Sequence, residues 1–265
     1  MSTPLEELFV KVHAENRAAL IGYLPAGFPT QDGCIAALTA MVEGGVDAVE
    51  IGYPYSDPVM DGPVIQAAAD TSLRNGTGAP EVMATLAAVA KIAPSVVMTY
   101  WNPIERYGVD NFLKDLKSNG GSGVITPDLT IEESEQWIAS SKAHDTNRIY
   151  VVAPSTSDER LRKVTEATSG FVYAASLMGV TGTRTSVSSS AQSLVSKLRG
   201  VTNLPIAVGL GVSTPEQARE VAQYADGVIV GSAFIRLLQE SSTLAEGVEK
   251  VRELAKDLSR GLSRA

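Results

Sequence analysis

Two histidines and one cysteine are all that this 265-residue chain offers of the side chains that most often bind transition metals. The lone Cys34 can close no internal disulfide and fits a reducing compartment. His13 and His144 fall in helical or polar surroundings, which argues against a multi-histidine metal centre. The G-x-S-x-G turn of a serine hydrolase is missing as well. Basic charge is in short supply: 22 Lys and Arg stand against 30 Asp and Glu, a formal charge of −8. Binding a phosphate backbone needs clustered cations, so nucleic acid is not expected as a partner. The opening Met1-Ser2-Thr3-Pro4-Leu5-Glu6-Glu7 is acidic and carries no basic, apolar leader. No apolar run reaches membrane-spanning length; the most apolar region, Val82 to Trp101, is broken by Lys91 and Pro94. Together these absences predict a cytoplasmic protein with no membrane association, in which Asn75-Gly76-Thr77 is only a turn.

What the chain does have is apolar material in short, regularly spaced pieces. At 44% hydrophobic it can bury a large core. Runs ending in Gly, Pro or Asp recur at Leu20–Leu24, Ala48–Ile51, Val96–Trp101, Val124–Thr126, Ile149–Ala153, Phe171–Ser176, Pro205–Val208 and Val228–Val230. Most are about 22 to 34 residues apart, a βα spacing, and they are apolar on both faces, as parallel strands covered by helices should be. Amphipathic stretches lie between them, among them Ile35–Glu43, Val109–Asn119, Ile131–Lys142 and Pro215–Tyr224. The last opens on Ser213-Thr214-Pro215-Glu216, which combines a hydroxyl cap, a first-turn proline and early acid. Eight such units fit a closed (β/α)₈ barrel, one domain spanning residues 1–265. A capping box at Thr3-Pro4-Leu5-Glu6 predicts an additional helix before the first strand. The second and third strands are more than forty residues apart, room for a long loop, Tyr53–Pro63, and two helices.

In such a barrel the chemistry belongs at the C-terminal ends of the strands. Glu50 falls there, near the end of the second strand. No predicted strand contains a lysine, and an ionised carboxylate inside a barrel is costly unless paired. Unless an arginine reaches it or it faces water, Glu50 has a raised pKa or a ligand partner, and either suits an acid/base catalyst. Asp61, eleven positions on, sits in a loop stiffened by Pro54, Pro58 and Pro63 and can be held over a pocket. Asp57, between Ser56 and Pro58, competes for that role but has the setting of a turn-former. Glycines cluster at three successive strand ends: Gly179-Val180-Thr181-Gly182, Gly209-Leu210-Gly211 and Gly231-Ser232. There main-chain N–H groups and a helix N-terminus can hold a phosphate without basic side chains. Tyr23, Tyr100, Trp101, Tyr173 and Leu210 are candidates to line an apolar subsite, with ordinary barrel packing as the alternative for each.

Over essentially its whole length the sequence resembles the tryptophan synthase alpha subunit family. The most specific match is Glu50-Ile51-Gly52-Tyr53-Pro54-Tyr55-Ser56-Asp57-Pro58-Val59-Met60-Asp61-Gly62-Pro63, supported by Asn102-Pro103, Pro127-Asp128-Leu129 and the three glycine clusters. The resemblance implies cleavage of indole-3-glycerol phosphate to indole and glyceraldehyde 3-phosphate. It also implies an α₂β₂ complex with a beta subunit that carries pyridoxal phosphate and consumes the indole, and no cofactor in this chain. By position Glu50 and Asp61 match the catalytic acids, Thr181 the residue of a lid that meets the loop aspartate, and Tyr100 and Tyr173 substrate-pocket tyrosines. Tyr23, Gly182, Leu210, Gly211, Gly231 and Ser232 complete the expected substrate site.

The residue inventory suits that reaction. A Schiff-base aldolase would need a strand lysine and a metal aldolase several histidines, both absent. The remaining electron sink is the indole ring, once protonated at C3. Glu50 is then the acid/base near C3 and the side-chain hydroxyl, and Asp61 accepts a hydrogen bond from the indole N–H. Three departures from the family pattern stand out: Leu177 where many relatives have arginine, Phe28 in place of a common aspartate, and Trp101 for a tyrosine. They bear on lid closure and partner affinity rather than on the reaction. Two other functions share parts of the pattern. A phosphate-binding isomerase or synthase barrel would use the glycines but not the carboxylate pair, and a regulatory phosphometabolite-binding subunit would need neither carboxylate.

Overall fold

The structure is a computed structural model and describes residues 2–175, 184–209 and 211–264. Eight parallel strands close into a barrel in sequence order: β1 (Ala19–Pro25), β2 (Ala48–Gly52), β3 (Ser95–Met98), β4 (Gly123–Thr126), β5 (Asn147–Val152), β6 (Val172–Ala175), β7 (Ile206–Gly209) and β8 (Gly227–Val230). Helix α1 (Pro4–Ala14) precedes the barrel, and α2 (Gln31–Glu43) links β1 to β2. Two helices, α3 (Pro63–Arg74) and α4 (Ala79–Val89), fill the long interval before β3, and α5 (Trp101–Tyr107) and α6 (Val109–Ser118) follow it. The remaining helices are α7 (Glu135–Ala143), α8 (Asp158–Ala167), α9 (Arg184–Arg199), α10 (Pro215–Ala222), α11 (Ser232–Glu240) and α12 (Leu244–Ser259). No helix among the described residues is long and apolar enough to cross a membrane.

The expected barrel and its preceding helix are both present, with shifts at several ends. The third strand stops at Met98 rather than at Trp101, because Tyr100 turns the chain and Trp101 opens α5. The stretch Ile131–Lys142 is broken at Ser134 into a 3₁₀ turn, Ile131–Glu133, and α7. There the Ser134 hydroxyl donates back to the Thr130 carbonyl at 2.5 Å, a local bond that competes with helix continuation. Helix α2 starts four residues before the predicted Ile35, since the Thr30 side chain accepts from Gly33 N–H and caps it.

Side-chain parity sorts the strands into two buried layers. Val49, Ile51, Val97, Val124 and Val208 face the helices. Ala19, Ile21, Ala48, Val96, Ile125, Ile149, Phe171, Ala207 and Ile229 fill the barrel interior. Glu50 lies two residues past Ala48, so it points inward, and by the same alternation Tyr23 and Tyr173 do too. Helix α1 closes the N-terminal end of the barrel. Leu5, Leu8, Phe9 and Val12 join the interior cluster, and the Phe9 and Phe171 rings sit 5.6 Å apart. The α1 cap is tied to the barrel as well: Thr3 Oγ1 donates to Asn147 Oδ1 at 2.6 Å, and Asn147 Nδ2 donates to Glu6 Oε1 at 2.8 Å. With that end plugged by apolar side chains, access to the interior is from the opposite, C-terminal mouth.

Two aspartates lock neighbouring strands together at the closed end. Asp47, just before β2, accepts the Leu20 N–H at 2.9 Å and a two-pronged contact from Arg17 at 2.7 and 2.8 Å. Asp226, just before β8, repeats the device six strands later. It accepts the Ile206 N–H at 2.9 Å and pairs with Arg199 and, at 3.0 Å, with Arg264. Replacing Asp226 by alanine strands a strand N–H and leaves two guanidinium groups beside each other. We expect a loss of roughly 1–3 kcal/mol in urea unfolding, and an unchanged midpoint would refute this role.

Candidate active site

Glu50 is fully buried, and neither of its carboxyl oxygens has a hydrogen-bond partner among the described residues. No arginine reaches it among the described residues; the strand arginine, Arg148, lies outward and donates to Ser141 Oγ and the Ala167 carbonyl. Burial alone pushes the Glu50 carboxyl up to about 8, so near neutral pH the acid form predominates. In register, Tyr23 on β1 and Val96 on β3 flank it.

The tyrosines beside Glu50 are seated by glycines. A Cβ on Gly52 would lie 2.4 Å from the Tyr23 phenol oxygen, and one on Gly209 would lie 2.6 Å from that of Tyr173. Any side chain at either position would drive a phenol out of its place. Gly209 is thus required for packing between strand ends.

Asp61 comes from the β2–α3 loop. Burial raises its carboxyl to about 6, opposed by a hydrogen bond from the Tyr100 phenol. That same phenol oxygen accepts the Met60 N–H at 2.9 Å, and its ring stacks on Tyr55 at 5.3 Å. Asp61 also accepts, through its main-chain carbonyl, from Gln66 Nε2 on α3 at 2.8 Å. Asp57 is exposed and accepts from the Ser56 hydroxyl at 2.7 Å, clear of the barrel mouth.

Electrostatics ties the two carboxyl groups to one cavity. The Tyr23 phenol is pushed well up by burial and then by the charges of Asp61 and Glu50; the Tyr173 phenol by burial and then by Glu50 and Asp61. Both tyrosines therefore lie within reach of both acids. The environments push the acids apart, one neutral and one ionised at pH 7, so the two can take different roles.

At the end of β8, Gly231 links the strand to α11 without a side-chain cap, and Ser232 is the first helical residue. Gly211, two residues past β7, has φ of +65°, a conformation that side chains rarely adopt. These features leave main-chain N–H groups at a helix N-terminus for an anion. Thr181, Gly182 and Leu210 lie outside the described residues, as does Leu177. Trp101 packs edge-on against the buried Trp137 at 5.6 Å, the packing alternative for this residue. Neither histidine enters the site; His144 faces Asp110 at 3.7 Å. No group of three or more metal-ligating side chains occurs among the described residues. Two participants escaped single-residue reading, Tyr55 and Asp128. Asp128 accepts the Trp101 N–H with both carboxylate oxygens, at 2.9 and 3.2 Å. Its only trace in the sequence is the tripeptide Pro127-Asp128-Leu129.

Known proteins match the chain end to end. The family described as tryptophan synthase alpha chain matches residues 9–263. The tryptophan synthase alpha chain of Streptomyces avermitilis is 54% identical, over 97% of this chain and 94% of its own length. That of Thermobifida fusca is 53% identical over 99% of both. A Mycobacterium tuberculosis tryptophan synthase structure superposes with a TM-score of 0.92 at 48% identity, over 99% of each chain. Buried Glu50, loop-borne Asp61 and the closed barrel that joins them accordingly belong to a member of the tryptophan synthase alpha chain family.

Proposed function

We propose that Glu50 and Asp61 are the two catalytic carboxyl groups that split indole-3-glycerol phosphate in this chain. As a tryptophan synthase alpha chain, the protein is a carbon–carbon lyase that releases indole and glyceraldehyde 3-phosphate and passes the indole to a beta subunit. The observation that carries the residue assignment is the unpartnered, fully buried Glu50 carboxyl beside tyrosines that also sense Asp61.

The chemistry follows from the protonation states. Glu50 enters as the neutral acid and delivers its proton to indole C3, which turns the ring into an electron-accepting indolenine cation. Asp61, ionised, accepts a hydrogen bond from the ring N–H and stabilises the positive charge there. The Glu50 carboxylate then removes the proton from the glycerol hydroxyl next to the ring. The carbon–carbon bonding electrons return to the indole, an aldehyde forms, and Glu50 is protonated again. No proton is gained or lost overall, so one buried carboxyl serves as both acid and base. Tyr23, Tyr100 and Tyr173 wall the ring. Gly211, Gly231 and Ser232 hold the phosphate through main-chain N–H groups, with Thr181, Gly182 and Leu210 assigned to the same site from the sequence. This is how a chain of net charge −8 holds a dianion. The isomerase and regulatory alternatives have no use for a pair of carboxyl groups held apart in pKa over one cavity.

The family implies a beta-subunit partner. We assign it an α₂β₂ assembly in the cytoplasm, with pyridoxal phosphate held by the beta subunit and no cofactor in this chain.

Substituting Glu50 by Gln or Asp61 by Asn should each lower indole release from indole-3-glycerol phosphate by roughly 10²–10⁴-fold, the usual worth of a general acid–base group. Turnover near that of the parent in either variant would defeat that residue's role. The parent's kcat/KM should fall below about pH 6 as Asp61 takes a proton, and above about pH 8 as Glu50 loses one. Stability gives an independent check. Between the ordinary 4.5 and about 8 the folded Glu50 holds a proton that the unfolded chain has lost, so its burial costs more stability as pH rises through that window. Glu50→Gln should therefore raise Tm, by a margin that widens from pH 5 to pH 8. A margin that stays constant with pH would contradict the shifted carboxyl.

A further inference from the structure

The catalytic loop is held from α5 by two contacts. Tyr100, the residue preceding α5, accepts the Met60 N–H at 2.9 Å and donates to the Asp61 carboxyl. Asn102, in the first turn of α5, donates through Nδ2 to the Tyr55 hydroxyl at 3.0 Å. The loop's two ends, Tyr55 and Met60–Asp61, thus both hang on the start of one helix. Within itself the loop is closed by short local bonds, such as Asp61 N–H to the Pro58 carbonyl at 3.0 Å.

That helix is short, Trp101–Tyr107, and Tyr100 gives it no side-chain cap. Its N-terminus is capped from another unit of the barrel. The Asp128 carboxylate, just past the end of β4, accepts the Trp101 N–H at 2.9 and 3.2 Å. Trp101 lies between Tyr100 and Asn102, so Asp128 grips the one residue whose neighbours on both sides hold the loop. Asp128 is exposed at the surface; partial desolvation still raises its carboxyl, and the Trp101 N–H pulls it back down.

We infer that Asp128 is a positioning residue of this enzyme: by capping α5 from β4 it fixes Tyr100 and Asn102, and through them the placement of Asp61 over the cavity. In this role it acts through Trp101 and its neighbours rather than on the reacting atoms. The inference rests on the role proposed for Asp61. The groups that face Asp61 are Tyr100 beside α5, Tyr23 on β1, Tyr173 on β6 and Glu50 on β2. Of these the Tyr100 phenol donates the hydrogen bond that lowers the Asp61 carboxyl. Slackening α5 weakens that bond, so the Asp61 carboxyl moves upward.

The test is the pH profile of kcat/KM for indole release by the full chain carrying D128A, D128N, Y100F or D61N. D128A should lower kcat/KM by roughly 10- to 100-fold, the scale of an ångström-level misplacement, and shift the acidic limb to higher pH. D128N, whose amide oxygen still accepts the Trp101 N–H, should restore most of the rate and the parent limb. Y100F should shift the limb in the same direction, and adding D128A to it should shift the limb no further. If D128A does not fold by circular dichroism, D128S, too short to bridge to Trp101, takes its place. Parent-like rate and limb in D128A, equal impairment in D128N, or additive limb shifts in the double variant would each overturn the inference. D61N separates the two levels: parent-like turnover there would sink the role of Asp61 itself, whereas an inactive D61N beside an unaffected D128A sinks only that of Asp128.

Discussion

The desolvation of one carboxyl group governs this molecule. Glu50 sits inside a closed barrel with neither oxygen hydrogen-bonded among the described residues, and that isolation makes it an acid near neutral pH. A salt bridge would have stabilised the carboxylate and removed the proton that the reaction needs. Much of the surrounding architecture can be understood as keeping such partners away while leaving one route in. Helix α1 seals the lower end with Leu5, Leu8, Phe9 and Val12. The strand arginine faces outward, and the Arg17–Asp47 and Arg199–Asp226–Arg264 pairs lie at the end opposite the mouth.

Asp61 shows how a second carboxyl acquires the opposite character a short distance along the chain. It is less buried than Glu50 and receives a phenolic hydrogen bond, so it ionises about two pH units lower, at about 6 against about 8. In the proposed mechanism, strand placement suits the group that stays neutral, and loop placement suits the group assigned to the ring N–H. The tyrosines complete the division. Tyr23 and Tyr173 depend on missing side chains at Gly52 and Gly209, so the pocket's aromatic wall is shaped as much by what neighbouring strands lack as by the rings themselves.

Reading the sequence went furthest where the information is periodic or local. Spacing and two-sided apolar runs sufficed for the barrel, and the Thr3–Glu6 box marked α1, because strands and caps are specified by residues a few positions apart. Glu50 was legible for a similar reason: an acid at the end of a buried run is conspicuous. The failures share a cause too. Trp101 was read as the end of a strand, but the residue that starts α5 there is Asp128, which lies 27 positions away. The Tyr173 ring crossing over Gly209 left no sign either, because nothing nearby in sequence shows it. Partners supplied from another βα unit leave no pattern in a single chain.

The central claim is that burial keeps Glu50 protonated through neutral pH. Its most direct test is a carbon-detected NMR titration of the ligand-free chain labelled at the glutamate side-chain carboxyl carbon, with Glu50→Gln used to assign the resonance. The account predicts a midpoint near 8 for Glu50. A midpoint near 4.5, the value of an ordinary glutamate, would contradict it.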